Sequence, residues 1–346
     1  MPASRKTQEY IEKELPYKLL MSIYEDSKAS LKELGRRVGV TYHVVASTLE
    51  RLEKQYAITY TLHLDEEKMG FSRGRVITIK FGNPPKVDYL KARFQKDTFV
   101  QDAYLATGDF DLLLYVVGLS EHDFGAWQYK LRIDTSEYKP NMSSSMVYED
   151  AVGFFPMKNE LIEKCEVLSD VEKRILKLLN GNSRMRLSEI IKQARTTQMR
   201  AIYSIKKMKE KGIIKQFTAL SQNPQKRLIA AYIVSQILSE KHTVTRKRYW
   251  EEMLAEDFHE GVNEYAIAAD LVGTYDYVNI CAFENGEQMS KNGAERIRRL
   301  LEFEEPTVKS AMLTDLLTGK WPFHLEEYTK FKGFGGELAK TQSKEE

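Results

Sequence analysis

Apolar residues recur in two stretches of the chain, in the same order and with the same spacing. The first stretch carries Leu31, Leu34, Val38, Leu49, Leu52 and Ile58, and the second carries Leu187, Ile190, Ala194, Ile205, Met208 and Ile214. Each position in the first stretch has its counterpart 156 residues later, as Leu31 has Leu187. A repeat at one fixed offset indicates that a whole folding unit has been duplicated.

The first copy opens with a pattern of three short helices. One buried stripe is formed by Leu15, Leu19, Leu20 and Ile23. Ser30 is expected to cap a second helix, Gly39 to allow a sharp turn, and the Thr41 hydroxyl to cap a third helix. The alternating segment Ile58–Leu64 predicts a short pair of wing strands. This order indicates a winged helix-turn-helix, whose third helix enters the major groove of DNA.

Each copy continues with a βαββαβ pattern, which is the order of a ferredoxin-like fold. The first copy predicts strand Arg75–Phe81, helix Val87–Gln95, strands Val100–Thr107 and Asp111–Gly118, helix Glu121–Leu131 and strand Ser143–Asp150. The second predicts strand Leu228–Gln236, helix Lys247–Phe258, strands Asn263–Val272 and Tyr275–Phe283, helix Gly286–Leu301 and strand Thr307–Leu316. The predicted class is α+β, with two winged helix-turn-helix domains alternating with two ferredoxin-like domains.

The domain boundaries follow from this pattern. The predicted segments are a winged helix-turn-helix at 1–66, a ferredoxin-like domain at 71–150, a linker at 151–166, a second winged helix-turn-helix at 167–221, a second ferredoxin-like domain at 226–320, and a tail at 321–346. The tail is aromatic up to Phe334 and polar beyond it, so we expect its last ten residues to be disordered.

Composition narrows the function classes only slightly. Lys and Arg number 52 against 50 Asp and Glu, so attraction to nucleic acid would have to come from local clustering. The longest apolar run, Leu112–Leu119, is too short to span a bilayer, and we expect a cytoplasmic protein that does not contact membranes. Cys165 and Cys281 stand alone, which predicts buried thiols rather than metal ligands. No catalytic motif is present, so the prediction is a protein that is not an enzyme and has no cofactor or metal.

Basic residues cluster on only one of the two third helices. The segment from Arg195 to Lys215 has seven cations and one acid, whereas Arg51 and Lys54 in the first copy are balanced by acids. The residues expected to contact double-stranded DNA are Arg36, Arg37, Tyr42, His43, Ser47, Arg51, Arg195, Gln198, Arg200, Lys206 and Lys207. Among these, base discrimination is expected from Tyr42, His43, Gln198 and Arg200.

The second copy lacks the two glycines of the first turn. Arg195 stands at the position of Gly39, and Ile191 stands at the position of Gly35. This difference puts the tight turn in doubt and predicts that the second helix docks at another angle. The two helix-turn-helix units, called the first and the second reader below, would then recognise an asymmetric operator.

The segment Leu31–Leu52, together with the hairpin Thr107–Asp111, resembles the leucine-responsive regulatory protein (Lrp/AsnC) family of transcription regulators. The resemblance runs from about residue 15 to residue 318 in two copies. It implies ferredoxin-like domains that pair internally as a fused pseudo-dimer, and further assembly into a homo-oligomer stays open. It also implies an amino-acid-like effector near the hairpins, at Thr107, Gly108, Asp109, Asp111, Gly273, Thr274, Tyr275 and Asp276.

Two other functions stay open. Siroheme decarboxylases share this architecture and resemble one another in a strand bearing His and Arg, but the corresponding strands Gln101–Thr107 and Glu264–Asp270 have neither residue. A metabolite sensor or scaffold that does not bind DNA is the second alternative, and the basic third helix of the second copy argues against it. The leading hypothesis is a sequence-specific DNA-binding transcription regulator.

Overall fold

The computed structural model describes residues 10–221, 228–235, 265–283, 285–294 and 307–319. Within these ranges the predicted α+β class is confirmed. The predicted helix Lys247–Phe258, the end of the predicted helix Gly286–Leu301 and the tail 321–346 lie outside them.

The first helix-turn-helix consists of α1 (Leu15–Glu25), α2 (Leu31–Val38) and α3 (Tyr42–Tyr56), after a π-helical turn at Tyr10–Glu14. The Ser30 hydroxyl caps α2 by accepting a hydrogen bond from the Glu33 amide, and Gly39 ends it with a φ of 69°. Thr41 precedes α3, but its side chain makes no capping hydrogen bond, contrary to the prediction. Thr41 is exposed, so water can satisfy the first amides of α3.

The second helix-turn-helix repeats this arrangement with α7 (Asp170–Gly181), α8 (Leu187–Ala194) and α9 (Gln198–Glu210). Arg195 adopts a φ of 50°, close to that of Gly39. The Thr196 amide donates to the Ile191 carbonyl at 3.1 Å, as the equivalent amide does in the first copy. The turn that the missing glycines put in doubt is therefore kept. An arginine can occupy the left-handed region at a cost of about 1–2 kcal/mol.

The wing strands pair between the two copies instead of within each copy. Strand β1 (Ile58–Leu64) runs antiparallel to β6 (Ile214–Ser221), with Thr61 opposite Thr218. The prediction of a strand pair inside one unit was therefore wrong. An antiparallel pair of equivalent strands arises naturally where two similar units are related by a local two-fold axis.

The remaining elements complete the two ferredoxin-like halves. The first half has β2 (Arg75–Phe81), α4 (Val87–Lys96), β3 (Val100–Gly108), β4 (Leu112–Val116), α5 (Glu121–Asp134) and β5 (Pro140–Val152). The second has β7 (Leu228–Ser235), β8 (Tyr265–Gly273), β9 (Tyr277–Phe283), α10 (Gly286–Asn292) and β10 (Thr307–Thr318).

The strands of both halves join into one closed barrel in the order β10-β3-β4-β2-β5-β8-β9-β7. The halves meet where Ala311 lies opposite Gly108 and where Ser145 lies opposite Gly273. Both glycines have positive φ, and a Cβ on Gly108 would lie 2.4 Å from the Ser310 carbonyl oxygen. The pseudo-dimer is thus built into the sheet, and its closure removes the exposed edges of both halves.

The segment between β5 and α7 packs into the core and contains a short helix, α6 (Asn159–Glu163). Phe154 belongs to the core of the first helix-turn-helix, whereas Leu161 and Cys165 belong to the core shared by the barrel and the second one. This segment, predicted as a linker, therefore ties the readers to the barrel. Cys165 and Cys281 are buried, and neither takes part in a disulfide.

Candidate nucleic-acid interface

The two helix-turn-helix units contact each other through buried polar groups as well as through the shared sheet. Ser27 and Ser183, which are equivalent residues 156 positions apart, share a hydrogen bond of 2.6 Å between their hydroxyls. The Thr61 hydroxyl donates to the Asn180 carbonyl at 2.8 Å, and the Thr218 hydroxyl donates to the Tyr24 carbonyl at 2.7 Å. Because buried hydrogen bonds resist opening, these contacts hold α3 and α9 in a fixed relation.

The predicted contact residues of the first reader lie on the surface of α2 and α3. Tyr42 is 51% exposed, and Arg36, His43, Ser47 and Arg51 are exposed as well. Arg37 is different, because its guanidinium donates to Glu33 at 2.7 Å and lies 3.6 Å from Asp26. Its charge is already balanced, which weakens the prediction that it contacts phosphate.

Acids also border the first reader. A shallow cleft of about 510 Å³ separates the N-terminal turn from α3, and it is lined by Ile11, Glu12, Ser47, Thr48 and Arg51. On the outer face of α3, Glu50 accepts a hydrogen bond from Lys54 at 2.7 Å. The first reader therefore has little net positive charge, as the sequence predicted.

The second reader presents a wider outer surface. Arg195, Gln198, Arg200 and Lys206, which are predicted DNA contacts, are exposed. Three further side chains are exposed, namely Met199, Ile202 and Tyr203. The sequence places Met199 at the N-terminal turn of the helix, where base edges would be read, whereas Ile202 and Tyr203 were not among the predicted contacts. Helical spacing could have found them, because Ala201, Ser204 and Met208 form the buried face of α9 and these three lie opposite.

Lys207 is only partly exposed, and it forms an ion pair within the second reader. Its ammonium donates to a carboxylate oxygen of Glu172 at 2.7 Å, and the Glu172 side chain is only 6% exposed. Ser169 donates to the same carboxylate from its amide at 2.9 Å and from its hydroxyl at 2.8 Å. Burial alone would raise the pKa of Glu172, but the hydrogen bonds from Lys207 and Ser169 outweigh it and leave this pKa below its ordinary value. Lys207 thus ties α9 to α7, and the prediction that it contacts phosphate is weakened.

The first predicted effector hairpin closes one junction of the barrel. The Asp109 amide donates to the Ser310 carbonyl at 2.9 Å, and its carboxylate accepts from the Ser310 amide at 2.7 Å. Asp111 accepts a hydrogen bond from the Lys80 ammonium at 2.8 Å. Both carboxylates therefore have structural partners, while Thr107 remains exposed at the tip.

The second hairpin closes the opposite junction. The Thr274 hydroxyl donates to the Ser144 carbonyl at 3.3 Å, and the Asp276 amide donates to the Val234 carbonyl at 2.8 Å. Gly273 and Thr274 are exposed. The structure therefore brings each predicted set of effector residues together at one hairpin, and places the two sets at different junctions.

A buried polar cluster surrounds Tyr275 in the second hairpin only. The Tyr275 hydroxyl lies 3.1 Å from that of Thr78 and accepts from the Lys309 ammonium at 3.3 Å, with Ser143 as a further partner. Burial raises the pKa of Tyr275, but these three hydrogen bonds outweigh it, so the pKa lies below its ordinary value. The equivalent residue in the first hairpin is Phe110, so the two junctions differ in chemistry.

Other kinds of site are not apparent in the described ranges. No group of three or more His, Cys, Asp or Glu side chains there is placed to hold a metal ion. No described helix has both the length and the apolar character needed to cross a membrane. His63, in the shared wing sheet, stacks on Phe154 with ring centroids 4.4 Å apart. Burial and the charge of Lys215 lower the pKa of His63 to about 3, so it stays neutral at physiological pH.

Comparison with known proteins places these features in context. No family model matches the chain. An uncharacterized HTH-type transcriptional regulator of Pyrococcus abyssi is 27% identical over 143 residues, which cover 41% of this chain and 80% of that protein. The leucine-responsive regulatory protein of Salmonella typhimurium is 32% identical over 102 residues, covering 28% of this chain and 60% of that protein.

The whole two-unit architecture is matched by solved structures of a siroheme decarboxylase. The siroheme decarboxylase NirDL covers 95% of this chain and 99% of its own, with a TM-score of 0.58 and 16% identity. At that identity the likeness shows a shared fold and says nothing about shared chemistry.

The fold and the exposed third helices define a class of protein, a tandem helix-turn-helix protein with paired ferredoxin-like domains. Its sequence relatives are helix-turn-helix transcriptional regulators, among them the leucine-responsive regulatory protein. The chain is therefore a duplicated relative of the Lrp/AsnC regulators.

Proposed function

We propose that the chain is a sequence-specific DNA-binding transcription regulator that carries two unequal readers in one polypeptide. One observation supports this most strongly: the β1–β6 sheet and the Ser27–Ser183 contact hold α3 and α9 together while their outer faces stay exposed. Helix-turn-helix proteins reach two half-sites on one duplex with such a fixed pair of helices. Phosphate contacts would supply most of the affinity, chiefly through the basic α9.

The unequal readers predict an asymmetric operator. Equivalent positions on the outer faces are His43 in α3 and Met199 in α9, and likewise Glu50 and Lys206. The test is selection of fragments from a random duplex library by the full chain at low and moderate salt, followed by footprinting. We expect two adjacent footprints with different sequences. Two identical half-sites would contradict the proposal of unequal readers, and no salt-sensitive binding would favour a sensor or scaffold.

A matched pair of lysines sharpens this test. Lys206 in α9 and Lys130 in α5 each lie near an acid four residues later, and their side chains are 70% and 71% exposed. Lys206→Met should weaken binding on every sequence and reduce the slope of log affinity against log salt by about one unit. Lys130→Met lies on the barrel and should leave that slope unchanged. Equal effects of the two substitutions would indicate nonspecific charge attraction.

We also propose that an amino-acid-like effector binds at the hairpin junctions. The exposed backbone around Thr107 and Thr274 offers hydrogen-bonding groups beside the strands of the other half. Binding there could alter how the two halves meet and thereby shift the readers. Titration of the twenty amino acids, followed by thermal unfolding and DNA affinity, tests this; no shift with any of them would refute it.

We further propose that the protein acts in the cytoplasm, assembles beyond the internal pseudo-dimer, and is not an enzyme. The whole-chain likeness to NirDL makes siroheme decarboxylation the alternative that needs an explicit test. Siroheme is added to the purified chain under anaerobic, reducing conditions, and the absorption spectrum is followed. An unchanged spectrum is expected, and a shifted spectrum with release of carbon dioxide would establish the enzyme instead.

A further inference from the structure

The outer face of α9 carries an apolar stripe that no described part of the chain covers. Met199, Ile202 and Tyr203 are 84%, 48% and 67% exposed. Together with Lys206 they follow an i, i+3, i+4, i+7 spacing, opposite the buried Ala201. Large apolar side chains clustered in water mark an interaction surface.

Cations border this stripe and indicate what covers it. Arg195 lies just before α9, Arg200 in its first turn and Lys209 in its last, and Glu210 is the only acid of the helix. In the major groove, phosphates flank a floor on which the 5-methyl group of thymine is the one apolar feature of the base edges. An apolar strip between cations therefore matches a thymine-containing groove in both polarity and charge.

Building on the proposed function, we infer that the second reader recognises thymine 5-methyl groups through Met199, Ile202 and Tyr203. The first reader offers less of this chemistry, because its equivalent residues are His43, Ala46 and Ser47, of which only Ala46 is apolar. The half-site bound by the second reader should therefore depend more strongly on pyrimidine methyl groups. Arg200 and Gln198 lie beside the stripe, where they would contact phosphate or the edges of flanking bases.

Removal of the methyl groups alone tests the inference. The strongest fragment selected by the full chain is synthesised with deoxyuridine in place of thymidine, one half-site at a time, and affinity is measured by fluorescence anisotropy. Base pairing and the other hydrogen-bonding groups stay the same. Each contacted methyl should contribute about fourfold in affinity, the ratio for about 0.8 kcal/mol per buried CH₂. The loss should be larger in the half-site footprinted by α9 than in the other.

A double variant links the effect to the stripe. Met199→Ala with Ile202→Ala removes exposed side chains only, so the fold should persist, as circular dichroism would verify. This variant should bind the thymine fragment more weakly and lose less on the deoxyuridine fragment than the unmodified chain does, because only Tyr203 of the stripe remains. His43→Ala in the first reader is the matched control and should keep the full methyl dependence.

The possible results separate the inference from the function it builds on. Binding that is equal on thymine and deoxyuridine fragments overturns the methyl readout and leaves DNA recognition intact. Absence of any DNA binding overturns the proposed function itself. A comparison of the affinities for cytosine and for 5-methylcytosine at the sensitive positions tests whether a methyl group on a base other than thymine is also recognised. A gain with 5-methylcytosine over cytosine supports methyl recognition as such, and no gain would overturn it.

Discussion

Swapping the residue types at the two equivalent turns, glycine for arginine and arginine for glycine, tests quantitatively how the two helix-turn-helix units differ. Gly39 has a φ of 69° and Arg195 a φ of 50°, so both occupy the left-handed region. That region costs a residue with a Cβ about 1–2 kcal/mol. Glycine loses about 0.5–1 kcal/mol more than other residues in conformational entropy on folding. Arg195→Gly should therefore stabilise the second helix-turn-helix by about 0.5–1 kcal/mol, and Gly39→Arg should destabilise the first by a similar amount.

Hydrogen exchange measures this change where it occurs. The amides of Val40 and Thr196 close the two turns, so each reports on the opening of its own unit. Arg195→Gly should slow exchange in α8 and α9 by about two- to fivefold and leave α2 and α3 unchanged. Lys139, which has a φ of 50° in the first ferredoxin-like half, is the control, since Lys139→Gly should protect only that half. Faster exchange at Thr196 in Arg195→Gly would refute the reasoning.

Three further predictions test individual contacts. The pKa of Glu172 is lower in the folded protein than its ordinary value of 4.5. The ionised carboxylate therefore stabilises the fold above pH 4.5, and this contribution is lost as the pH falls through the lower folded value. Glu172→Gln should lower the melting temperature at pH 7 and have much less effect near pH 3. Gly35→Ala places a Cβ 2.7 Å from the Val40 carbonyl oxygen and should destabilise the first reader by about 1–3 kcal/mol in urea unfolding. Gly125→Ala is the control, because its Cβ would have no atom within 4 Å, and it should not destabilise the protein. Tyr275→Phe should cost about 1 kcal/mol of unfolding free energy and remove a tyrosine with a lowered pKa from an ultraviolet pH titration. An unchanged titration would contradict that lowered pKa.

Much of the fold could be predicted because each element carries its own signal. Helical spacing, the Ser30 cap and the alternating strands all act within a few residues, and they place most elements correctly. Strand pairing between units is different. Alternation shows which face of Ile58–Leu64 is buried, but not which strand supplies its hydrogen bonds. The shared wing sheet and the closed barrel depend on how the two copies meet, which no local pattern contains.

The candidate site was predictable in its charge and less so in its individual contacts. Counting cations located the basic helix α9, but a count cannot show which of them already has a partner. Lys207 forms an ion pair with Glu172 of another helix, and Arg37 forms one with Glu33 of its own helix. Part of each positive charge is therefore neutralised within the protein. Arg195 is a residue whose conformation its own preference does not predict. Its backbone has a φ of 50°, which is unfavourable for arginine, and the surrounding turn holds it there.

Fusion of the two units explains why the junctions could diverge. The pairings place Ser143 and Lys309 at equivalent positions, opposite Thr78 and Ile233, and both approach Tyr275. In a dimer of identical chains, a lysine at this position would appear twice beside the two-fold axis. Two ammonium groups that share one largely buried site would repel each other and resist charging. A single chain avoids this conflict because each half can change alone. The same freedom allows one reader to become apolar and basic while the other stays polar, which a dimer of identical chains cannot do.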